Sequence, residues 1–250
     1  MRSKVDYAVA VGLCLTEGNI SALELEREGK KSLVPFVRGE PVSFEVVGEP
    51  QFSRSVDLCA ICDGSRCLKG TPDCLVPHVL YVASFGRILK VGVTRLERFE
   101  RRIIEQGAEF AARVGVYPDG MSARRAEKDL ATSKHIRLNV RFEEKVREMS
   151  TVRSAAEASR LAEKAGVGKV AMIDFRDRYQ DPDLWRLGRA IILGEDKVKG
   201  SVADTRGETL FVGYRGNLYA YDLRRTIGRR VEFRGVALRR QLTMTEFSGE

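Results

Sequence analysis

The stretch His78-Val-Leu-Tyr81-Val-Ala-Ser84, followed by Lys90-Val-Gly92-Val-Thr-Arg95 and Glu105-Gln-Gly-Ala108, decides how the chain is read. Val79-Leu-Tyr81-Val-Ala has strand length and strand composition, Phe85-Gly-Arg makes a turn, and Leu89-Lys90-Val-Gly92-Val makes a second strand. Together they predict a hairpin. A helix is expected from position 96 to about 113, because Phe99, Ile103, Gly107, Phe110 and Val114 recur at helical spacing on one face. Val114-Gly-Val-Tyr-Pro then reads as a short third strand, and 122–134 and 142–149 as two more helices.

The arginines of the first helix sort by their neighbours. Arg101 has Glu97 and Glu105 four residues away on either side, a surface pairing that contributes roughly 0.2–0.5 kcal/mol. Arg95, Arg98 and Arg102 lie three and four apart and have no acid four residues away. Cations in the opening turns of a helix oppose its dipole by about 0.3–1 kcal/mol each, a cost that an arriving anion removes. A phosphate backbone is such an anion. A solvated basic face is the alternative. Glu127 poses the complementary question, since it points among Ala123, Ala126 and Leu130 on the apolar side of its helix. A carboxylate there is costly unless it pairs with an arginine or holds a metal.

Directly before the hairpin stand Cys59, Cys62, Cys67 and Cys74, spaced C-x2-C-x4-C-x6-C, with His78 four residues on. A C-x2-C turn supplies two ligands of a tetrahedral zinc site from one loop, and Gly64, Gly70 and Pro72 suit a small coreless loop. The expected ion is structural Zn2+ on all four cysteines, with His78 able to replace one. Two disulfides are the alternative, since abundant Arg and Glu with few Asn and Gln is a thermophile composition. Cys14 stands apart and is expected in a core.

Either side of this middle the chain is β-like. Residues 5–47 give short strands with Gly-containing turns, and from 189 onward strands return, punctuated by Gly200, Gly207, Gly216 and Gly228. Helix 154–165 and strand 170–175 lie between, with Trp185 as a packing anchor. The expected class is α+β, its domains running 1–57, a zinc loop 58–78, an α/β domain 79–150, a helical linker 151–187, and 188–250 closing one small barrel with 1–57. Tyr214, Tyr219, Tyr221, Arg224, Arg225, Arg229 and Arg230 are a second candidate basic, aromatic surface, or an ordinary core with ion pairs. A net charge of +8 favours polyanion partners. No run approaches the roughly 18 apolar residues of a membrane span, so a cytoplasmic protein is expected.

The order β-β-α-β-α-α, with Tyr81, Arg102 and Glu127 at these places, resembles the GIY-YIG nucleases over about residues 79–149. Val79-Leu-Tyr81 stands at the first tripeptide and Lys90-Val-Gly92 at the second, where lysine replaces a tyrosine. The longer run, cysteine cluster included, looks like an archaeal and bacterial family of unknown function. The resemblance implies a metal-dependent phosphodiesterase. In it Tyr81 assists deprotonation of water, Arg102 stabilises charge on phosphate, Glu127 holds Mg2+ or Mn2+, and Lys90 contacts phosphate. Two expectations follow: a nucleic-acid-binding protein that cleaves DNA or RNA, or a zinc-stabilised one that only clamps phosphate.

Overall fold

The structure, a computed structural model, describes residues 6–52, 62, 64–65, 74–184, 189–234 and 242–243. The chain divides into two units, one of Met1–Arg54 with Asp177–Glu250 and the other of Ser55–Arg176. The class is mixed α+β.

An apolar run builds Asp6–Leu15 (β1), and alternation of apolar and polar residues builds Ser21–Arg27 (β2) and, after Lys30–Pro35 (β3), Pro41–Val47 (β4). In the second unit come His78–Phe85 (β5), Ile88–Arg95 (β6), Phe99–Gln106 (α1), Phe110–Tyr117 (β7) and Gly120–Lys134 (α2). Phe142–Glu148 (α3), Ala155–Lys164 (α4) and Ile173–Asp174 (β8) complete it. The chain then returns to the first unit with Ile191–Ile192 (β9), Lys197–Arg206 (β10), Thr209–Tyr214 (β11), Asn217–Asp222 (β12), Arg230–Phe233 (β13) and Leu242–Thr243 (β14).

The first unit is one ten-stranded sheet in the order β14-β3-β2-β1-β13-β4-β10-β11-β12-β9. The two ends of the sequence therefore interleave, with β13 lying between β1 and β4. The sheet bends around a core that includes Leu25, Phe44, Val198, Leu210, Tyr221 and Phe233. The expected closed barrel is corrected. Among the described residues the edge strands β9 and β14 have two residues each and no ladder joins them.

The second unit is a four-stranded sheet, β6-β5-β7-β8, one strand more than expected. The first helix is shorter than its spacing suggested, and the reason is local. Gly107 adopts φ 73°, and its N–H caps the carbonyls of Ile103 and Ile104. The chain then enters β7 at Phe110, so Phe110 and Val114 continue the apolar pattern as strand residues. Asp119 starts α2 by accepting from the Ser122 N–H at 2.8 Å, and Ser154 starts α4 by accepting from the Glu157 N–H at 3.2 Å. Leu80 and Val82 of β5, Val91 of β6, Ala123 of α2 and Ala158 and Ala162 of α4 share one core. The segment expected as a linker thus supplies a packed helix to this unit, while residues from 177 belong to the other. No described helix is long and apolar enough to cross a membrane.

Candidate nucleic-acid interface

Side chains alternate across a strand, so β5 presents Tyr81 on the face opposite Leu80 and Val82. Tyr81 pairs with Gly92 on β6 and with Arg113 on β7, and Ala83 pairs with Lys90. A Cβ at position 92 would overlap the Tyr81 hydroxyl, which explains a glycine there without any appeal to its backbone. Phe99 of α1 meets the Tyr81 ring edge-on at 6.0 Å, and Phe175 backs Phe99 at 6.2 Å. The phenol is 1% exposed.

Its hydroxyl accepts a hydrogen bond from Gln106 Nε2 at 2.6 Å, and the other end of that amide, Oε1, accepts from Lys90 Nζ. Lys145 of α3 reaches the Gln106 carbonyl at 3.1 Å. Burial raises the Tyr81 pKa above its ordinary value, opposed by the Gln106 hydrogen bond and by the Arg102 guanidinium, and reinforced by the Glu127 carboxylate. Tyr81 is therefore a neutral phenol at neutral pH. It also follows that Arg102 and Glu127, from two different helices, both act on this one hydroxyl. Of the residues picked from the sequence, Tyr81 and Lys90 meet at Gln106, Arg102 and Glu127 act on the phenol through their charge, and Glu127 is ion-paired with Arg124.

The arginines of the rim differ from expectation in their pairing. Glu105 binds Arg98 at 3.0 Å, Arg101 at 3.3 Å and Arg102 at 3.4 Å, and Arg95 pairs with Glu97 at 3.5 Å. Sorting by four-residue spacing overlooked Glu105, which is seven residues from Arg98 and three from Arg102. Three guanidinium groups thus share one carboxylate. Arg98 and Arg102 are 43% and 46% exposed, so they line solvent while Tyr81 and Gln106 lie beneath. Glu127 is buried and bound to Arg124 at 2.7 Å, one turn away. Gln106 and Lys145 were not singled out from the sequence. Gln106 had a signal, being one of only four glutamines in the chain and the last residue of α1.

The zinc expectation falls partly outside the described residues, since Cys59 and Cys67 lie there. Cys62 and Cys74 are described, and among the described residues no group of three or more Cys, His, Asp or Glu gathers as a metal set. The second candidate surface is taken up by structure. Tyr221 belongs to the core of the large sheet, Arg224 pairs with Asp222 at 2.8 Å, and Arg230 pairs with Glu232 at 2.9 Å.

No curated protein and no solved structure matches the chain. The family model that does match spans residues 56–183 and is described as a protein of unknown function, DUF2797. The resemblance to GIY-YIG nucleases is corrected by this match, which is to a different, uncharacterised family. The shared placement of a tyrosine, an arginine and a glutamate on strands and helices is too short a pattern to carry membership. By the match over residues 56–183, the chain belongs to the DUF2797 family.

Proposed function

We propose that the small-sheet unit binds the phosphodiester backbone of a nucleic acid along the rim of Arg98 and Arg102. One observation carries this reading: three guanidinium groups share the single carboxylate of Glu105. Guanidinium groups match phosphate oxygens in pairs, and an arriving phosphate relieves their mutual repulsion. Beneath the rim the neutral Tyr81 phenol keeps a proton to donate, because its hydroxyl already accepts from Gln106. The test is fluorescence anisotropy with single- and double-stranded DNA and RNA across salt concentrations. Arg98→Ala with Arg102→Ala should weaken binding and reduce the magnitude of the log–log salt slope by about 1.4–1.8. Unchanged affinity and slope would defeat the reading.

A second reading is divalent-metal-dependent phosphodiester hydrolysis, with half-exposed Arg102 near the buried Tyr81; it requires Glu127 to exchange its ion pair with Arg124 for the metal. Glu127 is the residue that would hold Mg2+ or Mn2+, an ion that supplies Lewis-acid polarisation of a phosphoryl oxygen. Arg102 would stabilise the charge that develops on phosphate. Tyr81, with its raised pKa, would act as a hydrogen-bond donor and not as a base. Cleavage that depends on added Mg2+ or Mn2+ and is lost in Glu127→Ala supports this; cleavage that persists in the variant removes the metal assignment.

The cysteine loop is proposed to hold a structural zinc ion, drawn from Cys59, Cys62, Cys67 and Cys74, in a cytoplasmic protein whose thiols stay reduced. Support comes from Cys62, whose Sγ accepts from the Gly64 N–H at 3.4 Å, a contact that fixes the direction of the sulfur in its turn.

A further inference from the structure

Gly120 opens helix α2 and is buried. Its φ lies outside the left-handed range, so backbone freedom does not explain it. Space does. A Cβ at this position would stand 2.8 Å from Cys74 Sγ and 3.1 Å from His78 Nε2. Cys74 Sγ and the Nε2 edge of the His78 ring thus lie close to one another against the start of α2.

The imidazole is oriented for this. His78 is buried, and its Nδ1 lies 2.7 Å from the Val76 carbonyl oxygen. A carbonyl only accepts, so Nδ1 carries a proton, which in the neutral imidazole leaves the lone pair on Nε2. Metal-bound histidines are held in this way, with the outer N–H on a carbonyl and the lone pair aimed at the ion. The Cys62 turn is tied to the same helix, because the Gly64 carbonyl accepts from Arg125 Nε at 2.7 Å.

We propose that His78, through Nε2, is a ligand of the zinc site of the cysteine loop, paired with Cys74, so that the ion has an imidazole and thiolates around it and not four thiolates. This rests on the zinc reading above. Its consequence is mechanical as well as chemical, since His78 is the first residue of β5, the strand that carries Tyr81 three residues on. The ion would anchor the strand that bears the phenol of the candidate interface.

The test uses the full chain loaded with Zn2+ and, separately, with Co2+. Wild type should bind one ion per chain, and its Co2+ absorption bands should lie at shorter wavelength than those of His78→Cys, in which a fourth sulfur replaces nitrogen. His78→Gln should lose affinity by at least about tenfold in chelator competition. His78→Cys should regain that affinity. Wild type without metal would overturn the zinc reading itself. Metal bound equally by wild type and His78→Gln, or an unchanged Co2+ spectrum in His78→Cys, would leave zinc in place and overturn the role of His78. Should His78→Gln fail to fold, the spectral comparison with His78→Cys alone decides.

Discussion

In the large-sheet unit Arg206 is 3% exposed and Asp204 fully buried, and the pair meets at 2.9 Å. Arg206 also donates to the Asp181 carbonyl at 3.0 Å, and the neighbouring Thr205 hydroxyl serves both the Ser21 N–H and Gln180. In the small-sheet unit Gln106 joins Tyr81 and Lys90 below, while Arg98 and Arg102 remain nearly half exposed above. Each network contains arginine, carboxylate and a buried amide or hydroxyl. The first is closed on itself and holds strands and loop together. The second has a buried floor, and its arginines, paired with Glu105, face water. Openness to solvent, more than the residue types, separates the two networks.

The largest expected effect follows from that contrast. Arg206→Ala removes the partner of a buried carboxylate and should cost about 3–5 kcal/mol in chemical denaturation, whereas Arg102→Ala, half exposed, should cost under about 1 kcal/mol. Equal costs would break the comparison. Gly92→Ala should destabilise by about 1–3 kcal/mol, because its Cβ overlaps the Tyr81 hydroxyl and the ring must move. A neutral result would mean that the floor is not packed as described.

The closed network also has a pH signature. Burial pushes the Asp204 carboxyl from 3.8 up to about 6, despite Arg206 beside it. Between those values the folded chain holds a proton that the unfolded chain has lost, so stability from this group is fullest below 3.8 and falls as pH rises to about 6. Asp204→Asn should flatten that window, and a stability that rises across it in wild type would contradict the assignment. The smallest of these effects on stability, and the most telling on binding, is Glu105→Ala. Freed of its shared carboxylate, the rim should bind nucleic acid more tightly and with a steeper salt slope. Weaker binding would mean that Glu105 positions the arginines more than it neutralises them.

Much of this was legible in the chain. The β5–β6 hairpin follows from an apolar run, a glycine turn and a second run, and the strands at both ends follow from period-two alternation. Helical spacing that ran on through Phe110 and Val114 misled, because a left-handed Gly107 changes the period at the point where two patterns overlap. The pairing of Arg98 and Arg102 was missed because a three- or seven-residue separation on a helix also brings side chains together. That Tyr81, Lys90 and Gly92 share one face depends on strand register, and that β13 slots between β1 and β4 depends on contacts some 200 residues apart. Neither is written in local sequence.

The central claim is that the rim of the small-sheet unit carries the phosphate contacts. It is tested most directly by comparing salt slopes of nucleic-acid binding for two double variants. Arg98→Ala with Arg102→Ala should reduce the magnitude of the slope by about 1.4–1.8. Arg224→Ala with Arg230→Ala removes arginines paired with Asp222 and Glu232 and should leave the slope as in wild type. A reduced slope in the second pair and an unchanged one in the first would contradict the account.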